Sequence, residues 1–123
     1  MKTSRKFLNY GLVALLWLLA TSASAQVFRG WHDSSNFAES NREAYGWACV
    51  TGQTNPLTIK FYDGQNYVGE TIADVQRESA VANVCGGVSS SLHGFVWPYP
   101  NSLNNGSSHD ILAKAVVNGV EIS

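Results

Sequence analysis

The chain has 123 residues, is 45% apolar and carries eight basic against nine acidic side chains. That length suits one domain around one core, and the apolar content excludes a chain disordered throughout. Lys2, Arg5 and Lys6 lie in a leading segment that reads as an export signal, so residues 26–123 hold five basic and nine acidic side chains, a formal charge of −4. Nucleic acids and anionic membranes need a basic face, which this balance does not offer.

The leader has three parts. Met1–Lys6 is basic, Phe7–Ala20 is almost wholly apolar, and Thr21–Ala25 is small and polar, with Ala23 and Ala25 at the −3 and −1 positions. That is the pattern of a cleaved signal peptide over 1–25, and the apolar run is short of the ~20 residues a membrane span needs. Cleavage after Ala25 leaves Gln26 first and 98 residues in one domain, 26–123, secreted or periplasmic and not inserted in a membrane. Gln26, not Cys, stands immediately after the cleavage point, which argues against a lipid anchor. In an oxidising compartment Cys49 and Cys85 are expected to form a disulfide, not a metal or redox pair. Closing that 36-residue separation would contribute about 3–4 kcal/mol in the chain-entropy view. The bridge is expected to pin two facing sheets together.

Along the rest of the chain, Gly, Asn and Ser punctuate short apolar runs at the spacing of an all-β domain. Residues 27–32 read as a first strand, followed by a polar loop from Asp33 to Arg42. Ala44–Val50 is a second strand, with Tyr45, Trp47 and Cys49 on one face and small residues or Val on the other. In the third, Leu57–Tyr62, alternation points Leu57, Ile59 and Phe61 one way and Thr58, Lys60 and Tyr62 the other. Asp63-Gly64 turns the chain into Tyr67–Val75, whose inward face alternation does not settle. Ser79 could cap a helical turn on which Val81 and Cys85 share a face. Leu92–Trp97 is the next strand, and Pro98 and Pro100 then predict an extended, non-pairing stretch around Tyr99. Ile111, Ala113, Ala115 and Val117 alternate along another strand, and Asn118-Gly119 turns into Val120–Ile122. About seven short strands with one helical turn predict an antiparallel two-sheet β-sandwich.

The order of several short motifs carries a resemblance. Gly30-Trp31-His32-Asp33 is followed by Gly46-Trp47-Ala48, and then by Tyr62-Asp63-Gly64 with Gly69 and Ala73. Glu78, Val81 and Cys85 come next, ahead of His93-Gly94-Phe95, Pro98 and His109. This succession resembles a bacterial Ig-like β-sandwich module of secreted and surface proteins, often appended to enzymes or repeated in tandem. Many members carry Arg-x-Asp-Val before the helical turn, whereas Arg77 here is followed by Glu78-Ser79-Ala80-Val81. The resemblance implies a non-catalytic accessory or recognition domain with no active site; His93, Phe95 and His109 are expected to be structural residues.

Enzymatic patterns are weak. His32, His93 and His109 lack the paired spacings of a zinc motif, and His93 and His109 are expected to bond backbone at strand starts. Neighbours on a strand face opposite ways, so His109 and Asp110 cannot form an adjacent dyad there. No Gly-x-Ser-x-Gly elbow is present, and no signature fixes a pair of carboxylates for glycoside hydrolysis. No catalytic residue, metal or cofactor is therefore expected. The aromatics say more. Trp47, beside Cys49, is expected to pack in the core against the disulfide. Trp97 and Tyr99, projecting from a strand end between prolines, and Tyr62 on a polar face are the candidate ligand-binding rings. The expected role is binding of an envelope or extracellular polysaccharide or of another exported protein. The alternatives are a small periplasmic inhibitor of a secreted hydrolase, a hydrolase, or a packing module.

Overall fold

The computed structural model describes residues 26–38, 41–87 and 92–123. The expected signal peptide and the serine tract at 89–91 lie outside the described residues. The strands are β1 (Phe28–Ala38), β2 (Asn41–Val50), β3 (Thr58–Asp63), β4 (Asn66–Ile72), β5 (Val75–Gln76), β6 (Leu92–Pro98), β7 (Ile111–Val117) and β8 (Val120–Ile122). A short helix α1 (Ser79–Val84) follows β5, and a 3-10 turn (Asn101–Leu103) follows β6. Two antiparallel four-stranded sheets result, in the orders β1-β2-β6-β5 and β4-β3-β7-β8. Relabelled A to G with an added C′, they are the ABED and C′CFG sheets of an Ig-like sandwich.

The core departs from the expected facing of β2. Ala44, Ala48 and Val50 point inward and are buried with Ile59 and Phe61 of β3, Phe95 and Trp97 of β6 and Ala115 of β7. The small side chains of β2 leave room for the rings. Trp97 reaches across the sandwich and stacks on Phe61, with ring centroids 4.3 Å apart and planes within 5°. Phe95 meets the edge of Phe61 at 5.7 Å. This cluster ties the sheets together.

A bulge explains why β4 resists alternation. Phe61 pairs with Gly69 but Tyr62 pairs with Tyr67, so Val68 is an extra residue that changes the phase of the strand. Gly69 has φ 154°, and a Cβ there would stand 2.7 Å from Trp97 Cζ2. The indole fills the space a side chain would need.

The Cys49–Cys85 disulfide forms, but it does not join the sheets. Cys49 lies on the outer face of β2, and the bridge holds Cys85, just beyond α1, against that face. Val81 and Trp47 pack there, so Trp47 touches the disulfide in a satellite cluster outside the main core. Ser79 is not the cap: Glu78 occupies that position with no side-chain bond to the helix. Residues 33–38 extend β1 beside β2 where a loop was expected, so that the two strands pair from Phe28–Val50 to Ala38–Asn41. β5 is the strand beyond the expected seven.

This division of labour is measurable. Replacing both Cys49 and Cys85 by Ala should cost about 3–4 kcal/mol in denaturant unfolding. Hydrogen exchange should then rise over Ser79–Val84 while the sheet amides of β3 and β7 keep their protection. Trp97→Ala should cost about 3–5 kcal/mol and loosen both sheets together.

Candidate functional site

One end of the sandwich is built from the start of β2, the β3–β4 turn and the β6–β7 connection. Leaving β6, Tyr99 donates its N–H to the Arg42 carbonyl at 2.8 Å, so the proline-flanked stretch pairs where a non-pairing segment was expected. The 3-10 turn follows and plugs Leu103 into the core. Between this connection and Arg42 lies an open cavity of about 460 Å³. That lies within the roughly 300–1,000 Å³ of small-molecule sites. Its lining comes from Arg42 and from residues 99–109, a stretch that contains no carboxylate.

The connection is held in place by side chains. His109 Nδ1 meets Asp63 Oδ2 at 2.6 Å, and the Asp110 N–H donates to Asp63 Oδ1 at 2.9 Å. The Gly64 N–H closes the tie on the Asp110 carbonyl at 2.8 Å. On its other side, His109 Nε2 stands 2.9 Å from Asn105 Oδ1, which also accepts the Ser107 N–H at 3.0 Å. Both ring nitrogens thus face side-chain oxygens. The hydrogen bond from His109 holds the Asp63 carboxyl below the ordinary carboxylate value. His109, expected to bond backbone at a strand start, meets the Asp63 and Asn105 side chains with its ring.

The candidate rings separate. Trp97 is only 7% exposed and stacked on Phe61, so it neither projects from the strand end nor can meet a ligand. Tyr99 does line the cavity. Its ring stands edge-on to Trp97 at 5.5 Å, and burial pushes its phenol up. Tyr62 belongs to the outer face of the other sheet. There it donates to Glu121, lies edge-on to Tyr67 at 5.9 Å and sits beneath Lys114 Nζ at 4.8 Å.

The other histidines are structural neighbours of the core. His93 is 3% exposed; among the described residues its Nδ1 has no hydrogen-bond partner, and burial lowers its pKa. His32 Nε2 contacts the Ser34 carbonyl at 3.1 Å and Ser35 Oγ at 3.0 Å. Among the described residues, no three His, Cys, Asp or Glu side chains gather in a metal-binding group.

Two features carried no signal strong enough to stand out in the sequence. Arg42 fell at the end of a presumed loop. Trp31, 67% exposed, pairs across the strands with Trp47 on the outer face of the first sheet. On that face Tyr45, Val75 and Val96 surround a groove of about 380 Å³ over Gly94. Arg77 crosses this groove to Asp33 at 2.8 Å and Glu78 at 2.9 Å, and a Cβ on Gly94 would stand 2.8 Å from its Cγ. The motif residues Asp33, Arg77 and Gly94 therefore serve one surface contact.

Compared with family models, curated proteins and solved structures, the chain matches none.

Acid should weaken the fold in two steps. The unfolded chain protonates its imidazole near the ordinary value of 6.5, while the folded His93 resists, so stability falls as pH drops below that value. Asp63 is depressed, so its contribution is complete above the unfolded value of 3.8 and is lost as pH falls through the lower folded one. Thermal unfolding against pH should show the first limb flattened in His93→Phe and the second in Asp63→Asn.

Proposed function

We propose that this protein is a secreted, non-catalytic binding module that takes an envelope or extracellular polysaccharide at the loop end of the sandwich. The supporting observation is the cavity between Arg42 and residues 99–109. Tyr99 supplies a ring braced on the core, Pro100 and Leu103 supply apolar surface for a sugar's C–H face, and Asn101, Asn104, Ser107 and Ser108 supply hydrogen-bonding groups. The clamp through His109 and Asp63 fixes the wall in advance, which lowers the ordering cost of binding. The resemblance to secreted bacterial Ig-like modules and the disulfide agree with an exported location. Among the described residues no helix is long and apolar enough to cross a membrane.

A second reading has its own observation. The exposed Trp31, with Tyr45, Val96 and Arg77 nearby, has the composition of a protein hot spot, which suits an exported partner such as a secreted hydrolase.

A glycan array separates the two. Tyr99→Ala should abolish glycan signals, or weaken them at least about tenfold, while the fold is retained; Trp31→Ala should leave them unchanged. Glycan binding lost with Trp31→Ala and kept in Tyr99→Ala would move the site to the outer face. Co-purification of a hydrolase abolished only by Trp31→Ala would favour the second reading.

A further inference from the structure

We infer that the cavity selects saccharides carrying a carboxylate, such as uronic-acid oligosaccharides, and that Arg42 is the residue that reads the acid. This rests on the cavity being the ligand site.

The argument begins with charge. Carboxylates outnumber cations in residues 26–123. Their cations are mostly engaged: Arg77 with Asp33 and Glu78, Lys60 near Glu121 at 3.8 Å, and Lys114 above the Tyr62 ring. Arg42 is half-buried, lines the cavity, and has no carboxylate partner among the described residues. In a domain with acid to spare, this half-buried arginine meets none of it among the described residues.

The rest of the lining keeps it so. Residues 99–109 contain no Asp or Glu, so nothing in that stretch competes for the guanidinium. The nearest acid of the clamp, Asp63, is already committed to His109 and to the Asp110 N–H. Tyr99 stays neutral, because burial raises its phenol. The remaining polar side chains are hydroxyls and amides, which suit the uncharged hydroxyls of a sugar.

Guanidinium geometry selects the class of anion. Its planar fork matches a carboxylate through two parallel N–H···O bonds, and a partly buried site strengthens such charge-assisted bonds. A uronic acid joins that group to a pyranose ring in a single unit.

The test uses the whole exported protein on an array of galacturonate, mannuronate, guluronate and glucuronate oligosaccharides. Each is printed beside its methyl ester, together with neutral glycans and sulfated dextran. At least one acid should bind, with its ester weaker by about tenfold or more. Arg42→Gln should reduce the acid to the level of its ester, and Arg42→Lys should recover part of the difference. Unchanged melting temperatures would establish that both variants fold. Equal binding of acid and ester, abolished by Tyr99→Ala, would overturn the inference and leave the polysaccharide reading standing. So would binding of neutral glycans alone, or of sulfated dextran without any uronate. Silence across acidic and neutral glycans alike would remove both.

Discussion

The stack of Trp97 on Phe61 is the contact from which the rest of the molecule follows. It crosses the space between the sheets, and it fixes what its neighbours can be. β2 must be lined with Ala and Gly where the rings lie, β4 must present a bare backbone at Gly69, and the bulge at Val68 supplies that backbone. A stacked pair of buried rings contributes roughly 0.5–1.5 kcal/mol beyond the area it buries. Its position matters more than its strength, because Tyr99 rests edge-on against the same indole. One wall of the loop-end cavity is thereby an extension of the core.

The two ends of the sandwich are secured by different chemistry. At the helical end a covalent bridge holds Cys85 and α1 to the outer face of β2, and the Gly52 N–H bonds the Cys85 carbonyl at 3.0 Å. At the loop end the tie is electrostatic, running from Asp63 through His109 to Asn105. The first is insensitive to pH and depends on an oxidising compartment. The second needs an ionised carboxylate. A binding surface fits the second end better, since a polar clamp can position groups around a cavity without closing it.

Much of this architecture was legible in the sequence. Leu57–Tyr62 and Ile111–Val117 alternate cleanly because each has one face on the core, and Asn118-Gly119 marks its hairpin by turn chemistry. Val81 and Cys85 share a face, as their spacing requires. Three features were hidden, each for a physical reason. The inward face of β2 carries the smaller residues, so a reading that sends large apolar side chains inward turns that strand around. β4 contains a bulge, which no period-two pattern can register. β1 continues through Asp33–Ala38, a polar stretch whose backbone is paired by its neighbour regardless of side-chain polarity. The site was half legible. Tyr99 stands out between its prolines, but Trp97 reads as equally exposed until its stacking partner, 36 residues upstream on another strand, is known. Arg42 and the Asp63–His109 clamp depend on contacts between distant segments and leave no local trace.

Amide chemical-shift mapping with a galacturonate oligosaccharide tests the central claim most directly. Binding at the core-braced loop end should perturb Arg42, Tyr99, Asn101, Asn104 and Ser107–His109 as one saturable set and leave the outer face of β1 and β2 still. Shifts gathered instead on Trp31, Tyr45, Trp47 and Val96 would contradict it.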